Sequence, residues 1–235
     1  MKLLLTSSGL SNESLRDALR QMLGKPTGEC NFVFIPTSYS GAAGDMGWLV
    51  NDIYEAHRMG WKEFRLLDIA VKASWDKKLW WPVIENADVI MVGGGNAGFL
   101  SYWMQKAGLF DAMPKLLETK VYVGVSAGSM VMTAGLNTAS MAVEGGKYEL
   151  NLNDPNAPAS QISPKTLGYT DFLFRPHWHK PAPKYENLTE ESMRKVYAVI
   201  KKPIYLVDDQ TGIMIEDGKS PKVVSEGRWL LIDHS

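Results

Sequence analysis

The chain has 235 residues, 45% hydrophobic and 22% charged, enough to hide roughly 70% of the extended chain's surface on folding and unlike a disordered, collagenous or coiled-coil composition. Lys and Arg number 25 against 26 Asp and Glu, a net charge of -1, which leaves no basic excess for a nucleic-acid partner. The single cysteine, Cys30, excludes an intrachain disulfide framework and a multi-cysteine zinc site and points to a cytoplasmic location; Leu3, Leu4 and Leu5 are too short a run for a signal-peptide core, and no window nears the ~20 apolar residues that span a membrane.

Residues 2–6 read as a buried strand, followed by a loop over 7–11 and a helix over 12–23. Ser11 is placed to cap that helix and Glu13 suits its first turn, while Ser14 and Leu15 stand where a capping box would need Glu or Gln. A strand over 32–35 closes at Pro36, and a helix over 46–59 leads to a strand over 64–67. A helix over 75–85, a strand over 89–92, helices over 99–106 and 110–116, a strand over 121–125 and a helix over 127–134 follow. Past Thr133 come Gly145, Gly146, Asn151, Asn153, Asp154, Pro155, Asn156, Pro158 and Pro164, a turn-rich stretch of the length that lids and binding loops have. The alternation resumes with a strand over 172–175, a helix over 189–199, a strand over 204–207, and a hairpin over 212–232 that turns at Asp217 and Gly218. Short apolar strands separated by helices predict an α/β fold, a mostly parallel sheet with helices on both faces. With no repeat and no low-complexity linker, residues 1–235 read as one domain.

The most specific stretch is Gly124-Val125-Ser126-Ala127-Gly128, between a strand and a helix. Small residues on both sides let the backbone bend sharply enough to project a nucleophilic hydroxyl; the plain alternative is a glycine-flanked turn with a capping serine. Gly93-Gly94-Gly95-Asn96, with Ala97 and Gly98, formally matches the dinucleotide fingerprint. It follows the fourth strand, however, and the next strand ends at Val125 and Ser126 with neither an acid for a ribose nor a base for a 2′-phosphate, so no nicotinamide or flavin is expected. The glycines then serve to free an amide that joins that of Ala127 as an oxyanion hole. Of four histidines, His57 lies in a helix and His234 is penultimate, which leaves His177 and His179 after a strand. Asp208 and Asp209, also after a strand, are the candidates to orient an imidazole, against the plain reading of an acidic turn. Trp103, Trp80 and Trp81 read as packing, and Trp178, beside His177, as the tryptophan to expect at a substrate.

In order and spacing, Gly93-Gly94-Gly95-Asn96, Gly124-Val125-Ser126-Ala127-Gly128, Pro176-His177 and Asp208-Asp209-Gln210-Thr211 resemble the serine peptidase family of dipeptidase E and cyanophycinase, over nearly the whole chain. The resemblance implies a class I glutamine amidotransferase-like fold, a three-layer α/β/α arrangement with the nucleophile at a strand-to-helix elbow. It implies Ser126 as nucleophile, His177 as general acid and base, the Gly95 and Ala127 amides as oxyanion donors, and Asn96 as a substrate contact. Asp209 becomes the preferred third member of a catalytic triad, where the family more often has Glu, with Asp208 and Glu144 as the other acids. Two departures stand out: residues 138–141 carry no acid where dipeptidase E has Asp, and Glu186, Glu190 and Glu191 occupy a segment where that branch is basic, with Lys184 and Arg194 the nearby cations. The segment 144–170 is also longer than in the short dipeptidases. The expected function is hydrolysis of small peptides through an acyl-enzyme, without cofactor or metal, with a small peptide as partner and a homodimer left open. An α/β-hydrolase esterase using Ser126, Asp208 or Asp209, and His234, and a non-catalytic member of the same fold, are the alternatives. A glutaminase would need cysteine at the elbow, and Cys30 lies far from it.

Overall fold

Leu3, Leu4 and Leu5 explain in miniature how the sheet is covered: in a strand successive side chains point to opposite faces, and here both faces are buried. The computed structural model describes residues 1–42, 44–72, 75–136, 165–181, 185 and 188–233. Its strands are β1 (Lys2–Thr6), β2 (Asn31–Ile35), β3 (Glu63–Leu66), β4 (Val89–Val92), β5 (Val121–Val125), β6 (Leu173–Arg175), β7 (Ile204–Val207), β8 (Thr211–Glu216), β9 (Lys222–Ser225) and β10 (Trp229–Ile232). Its α-helices are α1 (Glu13–Leu23), α2 (Gly47–His57), α3 (Ile69–Lys72), α4 (Trp81–Glu85), α5 (Ala97–Lys106), α6 (Leu109–Leu116), α7 (Ala127–Met130) and α8 (Glu190–Ile200).

Seven strands form one sheet in the order β3-β2-β4-β5-β1-β8-β9. The first five run parallel, and β8 and β9 add an antiparallel edge. Leu4, Phe32, Phe34, Met91 and Val123 point to the face covered by Leu15, Leu19 and Met22 of α1 and Ala56 of α2. Leu3, Leu5, Val33, Ile35, Ile90 and Tyr122 point to the face covered by Ile84 of α4, Leu100 and Met104 of α5, and Met113 of α6. The mixed α/β fold with a mostly parallel central sheet is the one the alternation predicts.

A second sheet, β10-β7-β6, lies outside that expectation. β6 and β7 are parallel, β10 is antiparallel to β7, and Leu173, Ile204, Leu206 and Ile232 share a core with Met193 and Val196 of α8. The hairpin expected over 212–232 is therefore limited to β8 and β9. Asp208 organises the departure of β10, since its carboxylate accepts from the Gln210 amide at 3.0 Å, the Thr211 hydroxyl at 2.8 Å and the Arg228 amide at 2.5 Å.

Three smaller expectations are corrected. The cap of α1 is Asn12, whose Oδ1 accepts from the Leu15 amide at 2.9 Å, while the Ser11 hydroxyl donates to the Asp209 carbonyl. The helix expected over 75–85 is a short 3-10 turn, Lys77–Leu79, followed by α4, in whose first turn Pro82 stands, where its missing amide costs no helical bond. The helix expected over 127–134 is the four-residue α7. The turn-rich stretch, with Glu144, and the tail, with His234, lie outside the described residues. Among the described residues no helix is long and apolar enough to cross a membrane.

Candidate active site

β4, β5 and β1 are neighbours and parallel, so their carboxyl ends stand side by side and present Gly93 to Asn96, Ser126 and Ser7 along one edge. The parallel strands β6 and β7 of the small sheet deliver His177 and Asp209 to the same place. A cleft of about 300 Å³ opens there, lined by Ser7, Trp48, Asp52, Gly94, Gly95, Asn96, Ser126, His177, Lys180 and Tyr185 among others.

Ser126 sits at φ 47° and ψ -103°, a backbone conformation rare for a residue with a side chain and typical of strained functional turns. Its amide donates to the Thr6 carbonyl at 2.9 Å, which fixes the turn to β1. Gly128 is required because a Cβ there would drive into the carbonyl of Val92, so α7 packs directly on the end of β4. Gly95 is required for two reasons: its φ is 134°, and a Cβ would collide with the carbonyl of Ser38. The Ser38 hydroxyl in turn binds the carbonyls of Gly93 and Gly94. Among the described residues the amides of Gly94, Gly95 and Ala127 have no acceptor.

His177 Nε2 lies 2.9 Å from Ser126 Oγ, and His177 Nδ1 lies 2.6 Å from Asp209 Oδ1. Asp209 also receives the Ser7 hydroxyl at 2.8 Å on Oδ1 and Lys180 Nζ at 2.9 Å on Oδ2. Burial by itself would raise the Asp209 carboxyl, but the hydrogen bond and charge of His177, with Lys180 and Ser7 donating too, hold it well below the ordinary carboxylate range. Burial lowers the proton affinity of His177 below its ordinary value, against the pull of Asp209, and the charges of Lys180 and Arg175 add to the lowering. Arg175, pushed down to about 10 by burial, stays charged. An ionised Asp209 can only accept, so the imidazole proton sits on Nδ1 and Nε2 accepts from the Ser126 hydroxyl. His177 itself is held at φ 67°, its amide donating to the Ser7 hydroxyl at 2.9 Å.

Of the residues expected at the site, Ser126, His177, Asp209, Gly95, Ala127 and Asn96 come together. Asn96 caps α5, its Oδ1 accepting from the Phe99 amide at 2.9 Å, and also lines the cleft. Asp208 is turned to backbone amides, as described above. Trp178 is not among the lining residues: its ring stacks on His179, with centroids 4.2 Å apart, and packs against the small-sheet core. The tryptophan of the cleft is Trp48. Sequence reasoning missed Ser7, Ser38, Lys180, Trp48 and Asp52. Ser7 had a readable signal, being the first residue beyond a strand that ends at the ligand-binding edge, and Trp48 and Asp52 share one helix face at i and i+4. Among the described residues no group of His, Cys, Asp and Glu is arranged to hold a metal.

The sequence model of peptidase family S51 matches residues 3–223. The chain belongs to this family. It is 26% identical over 136 residues to peptidase E of Nostoc sp. (strain PCC 7120), an alignment covering 57% of this chain and 50% of that protein, so the match spans about half the length of the curated relative. Among solved structures it is similar to that of a candidate peptidase E protein from Listeria monocytogenes EGD-e, with a TM-score of 0.70, 19% identity, and 96% of this chain and 98% of that one covered. A peptidase from an acI-B1 Actinobacterium is similar at a TM-score of 0.68 and 17% identity, with 99% and 90% covered. At these identities the two structures establish a shared fold. The S51 match takes in every residue of the cleft named above, from Ser7 to Tyr185, and Asp209 behind His177.

Proposed function

We propose that this S51 protein is a serine peptidase that hydrolyses small peptides through an acyl-enzyme on Ser126. The observation that carries the reading is the hydrogen-bonded series Ser126 Oγ, His177 Nε2, His177 Nδ1 and Asp209 Oδ1, at 2.9 and 2.6 Å. Ser126 Oγ attacks the substrate carbonyl while His177 takes the hydroxyl proton. The resulting oxyanion is stabilised by the free amides of Gly95 and Ala127, each such donor contributing roughly 3 to 4 kcal/mol. His177 passes the proton to the leaving amine, and a water activated by the same imidazole releases the acyl group. Asp209 keeps the proton of the neutral imidazole on Nδ1 and stabilises the imidazolium that forms. The cleft volume, about 300 Å³, supports a substrate of dipeptide size. The buried free thiol of Cys30 is compatible with work in a reducing cytoplasm.

The test is hydrolysis of a panel of dipeptides by the wild-type chain, Ser126→Ala and His177→Ala. Turnover of at least one dipeptide that both substitutions abolish, in variants that melt like the wild type, supports the reading. Full hydrolysis by Ser126→Ala sinks it.

A further inference from the structure

The cleft contains a charged group that this chemistry leaves unused. Asp52 stands on α2 between Trp48 and Ala56, at intervals of four residues, so it occupies the inward stripe of the helix where an apolar residue would ordinarily pack. It is 4% exposed. It lines the cleft with Ser126 and His177, yet no described residue donates a hydrogen bond to it or forms an ion pair with it. Lys180 is the nearby cation that favours its charge, but Lys180 is bound to Asp209 Oδ2 at 2.9 Å, and Asp209 repels Asp52. Burial pushes the Asp52 carboxyl up to about 7. A nearly buried carboxyl that lines open volume, and to which the described residues supply no cation of its own, is suited to receive one from a ligand.

We propose that Asp52 is a specificity residue that receives a primary ammonium group of the bound peptide. The peptide reading above is what makes the ligand a substrate, but the binding step needs no turnover. Two sources carry this group, the free amino terminus of an unblocked peptide and a lysine side chain. Both would lie near Trp48, whose ring stands one helical turn from Asp52 on the same face. Ammonium binding neutralises Asp52 and completes the buried pair.

Calorimetric titration of the Ser126→Ala chain with Ala-Ala, N-acetyl-Ala-Ala and N-acetyl-Lys-Ala tests this directly. The expected result is that at least one ammonium-bearing peptide binds at least about tenfold more tightly than N-acetyl-Ala-Ala, and that adding Asp52→Asn removes the difference. Tight binding of Ala-Ala alone identifies the amino terminus, and tight binding of N-acetyl-Lys-Ala identifies the side chain. Asp52→Ser, smaller and equally neutral, must behave as Asp52→Asn does, which guards against a packing fault peculiar to one substitution. Equal affinity for all three peptides, an equal loss for all three on Asp52→Asn, or no binding of any of them overturns the proposal. Failure of the peptidase reading is separately visible: a wild-type chain that hydrolyses nothing, while the ammonium difference persists, removes the substrate role and leaves the binding site. Hydrolysis without the difference does the reverse.

Discussion

The Ser7 hydroxyl donates to Asp209 Oδ1 at 2.8 Å and so ties the end of β1 in the large sheet to the turn after β7 in the small one. The same oxygen accepts from the His177 amide. One hydroxyl thus holds both the imidazole-bearing backbone and the carboxylate that orients the ring. Ser7→Ala leaves a buried amide without a partner, a loss of about 1 to 3 kcal/mol. The expected outcome is a lower melting temperature together with a 10- to 100-fold fall in kcat, roughly, and little change in KM. Steady-state kinetics on a peptide that the wild type hydrolyses checks it. A purely structural role would lower the folded fraction but leave kcat per folded molecule unchanged.

The pH dependence follows from His177. Its imidazole must be neutral to accept the Ser126 proton, and burial shifts its proton affinity below the ordinary value of 6.5. If His177 is the base proposed above, activity should be retained as pH falls through 6.5 and lost below it. A profile of kcat/KM against pH should show an acid limb centred under 6.5; a midpoint above that value would contradict the assigned environment.

Asp209→Asn removes the acceptor that fixes the proton on Nδ1. An amide can donate to that nitrogen and stabilise the wrong tautomer, so kcat should fall by about 10⁴-fold with the fold intact. Circular dichroism and single-turnover kinetics on the variant are the check. A fall of less than tenfold would shift the orienting role to another group.

Asp52→Asn should raise stability, and the sign follows from the direction of its shift. The folded carboxyl titrates at about 7 against 3.8 for the free group, so between those values the unfolded chain binds fewer protons than the native one. Stability is accordingly lost as pH rises from about 4 to about 7 and stays low above it. Removing the charge should recover up to about 4 kcal/mol at pH 8 and little near pH 4. Thermal unfolding at the two pH values decides it. A variant less stable than wild type at pH 8 would mean that Asp52 has a stabilising partner.

Much of this architecture can be read before the chain is folded. Phe32, Val33, Phe34 and Ile35 announce a strand buried on both faces, and the small residues around Ser126 announce an elbow because nothing larger allows α7 to meet β4. His177 and Asp209 are legible as carboxyl-end residues, although the strands that carry them belong to the small sheet and not to the large one. The small sheet itself was hidden, since Trp229 to Ile232 is an apolar run that pairs equally well, on sequence, with β9 or with β7. Beside the ladder of β10 with β7, Arg228 just ahead of β10 is bound to Asp208 just after β7: its amide donates to the Asp208 carboxylate at 2.5 Å and its carbonyl accepts from the Asp208 amide at 3.0 Å, a tertiary fact. Ser7 and Asp52 escape for a similar reason. A serine in a loop and an aspartate in a helix look like solvated residues until packing removes the water around them.

The proposed function depends on His177 activating Ser126 as a nucleophile. Exposure of the intact protein to a fluorophosphonate, followed by mass spectrometry and peptide mapping, tests it most directly. The expected result is a single adduct on Ser126, absent in Ser126→Ala and formed at least about 100-fold more slowly in His177→Ala. An unmodified wild-type chain, an adduct on another residue, or equal labelling of His177→Ala would contradict it.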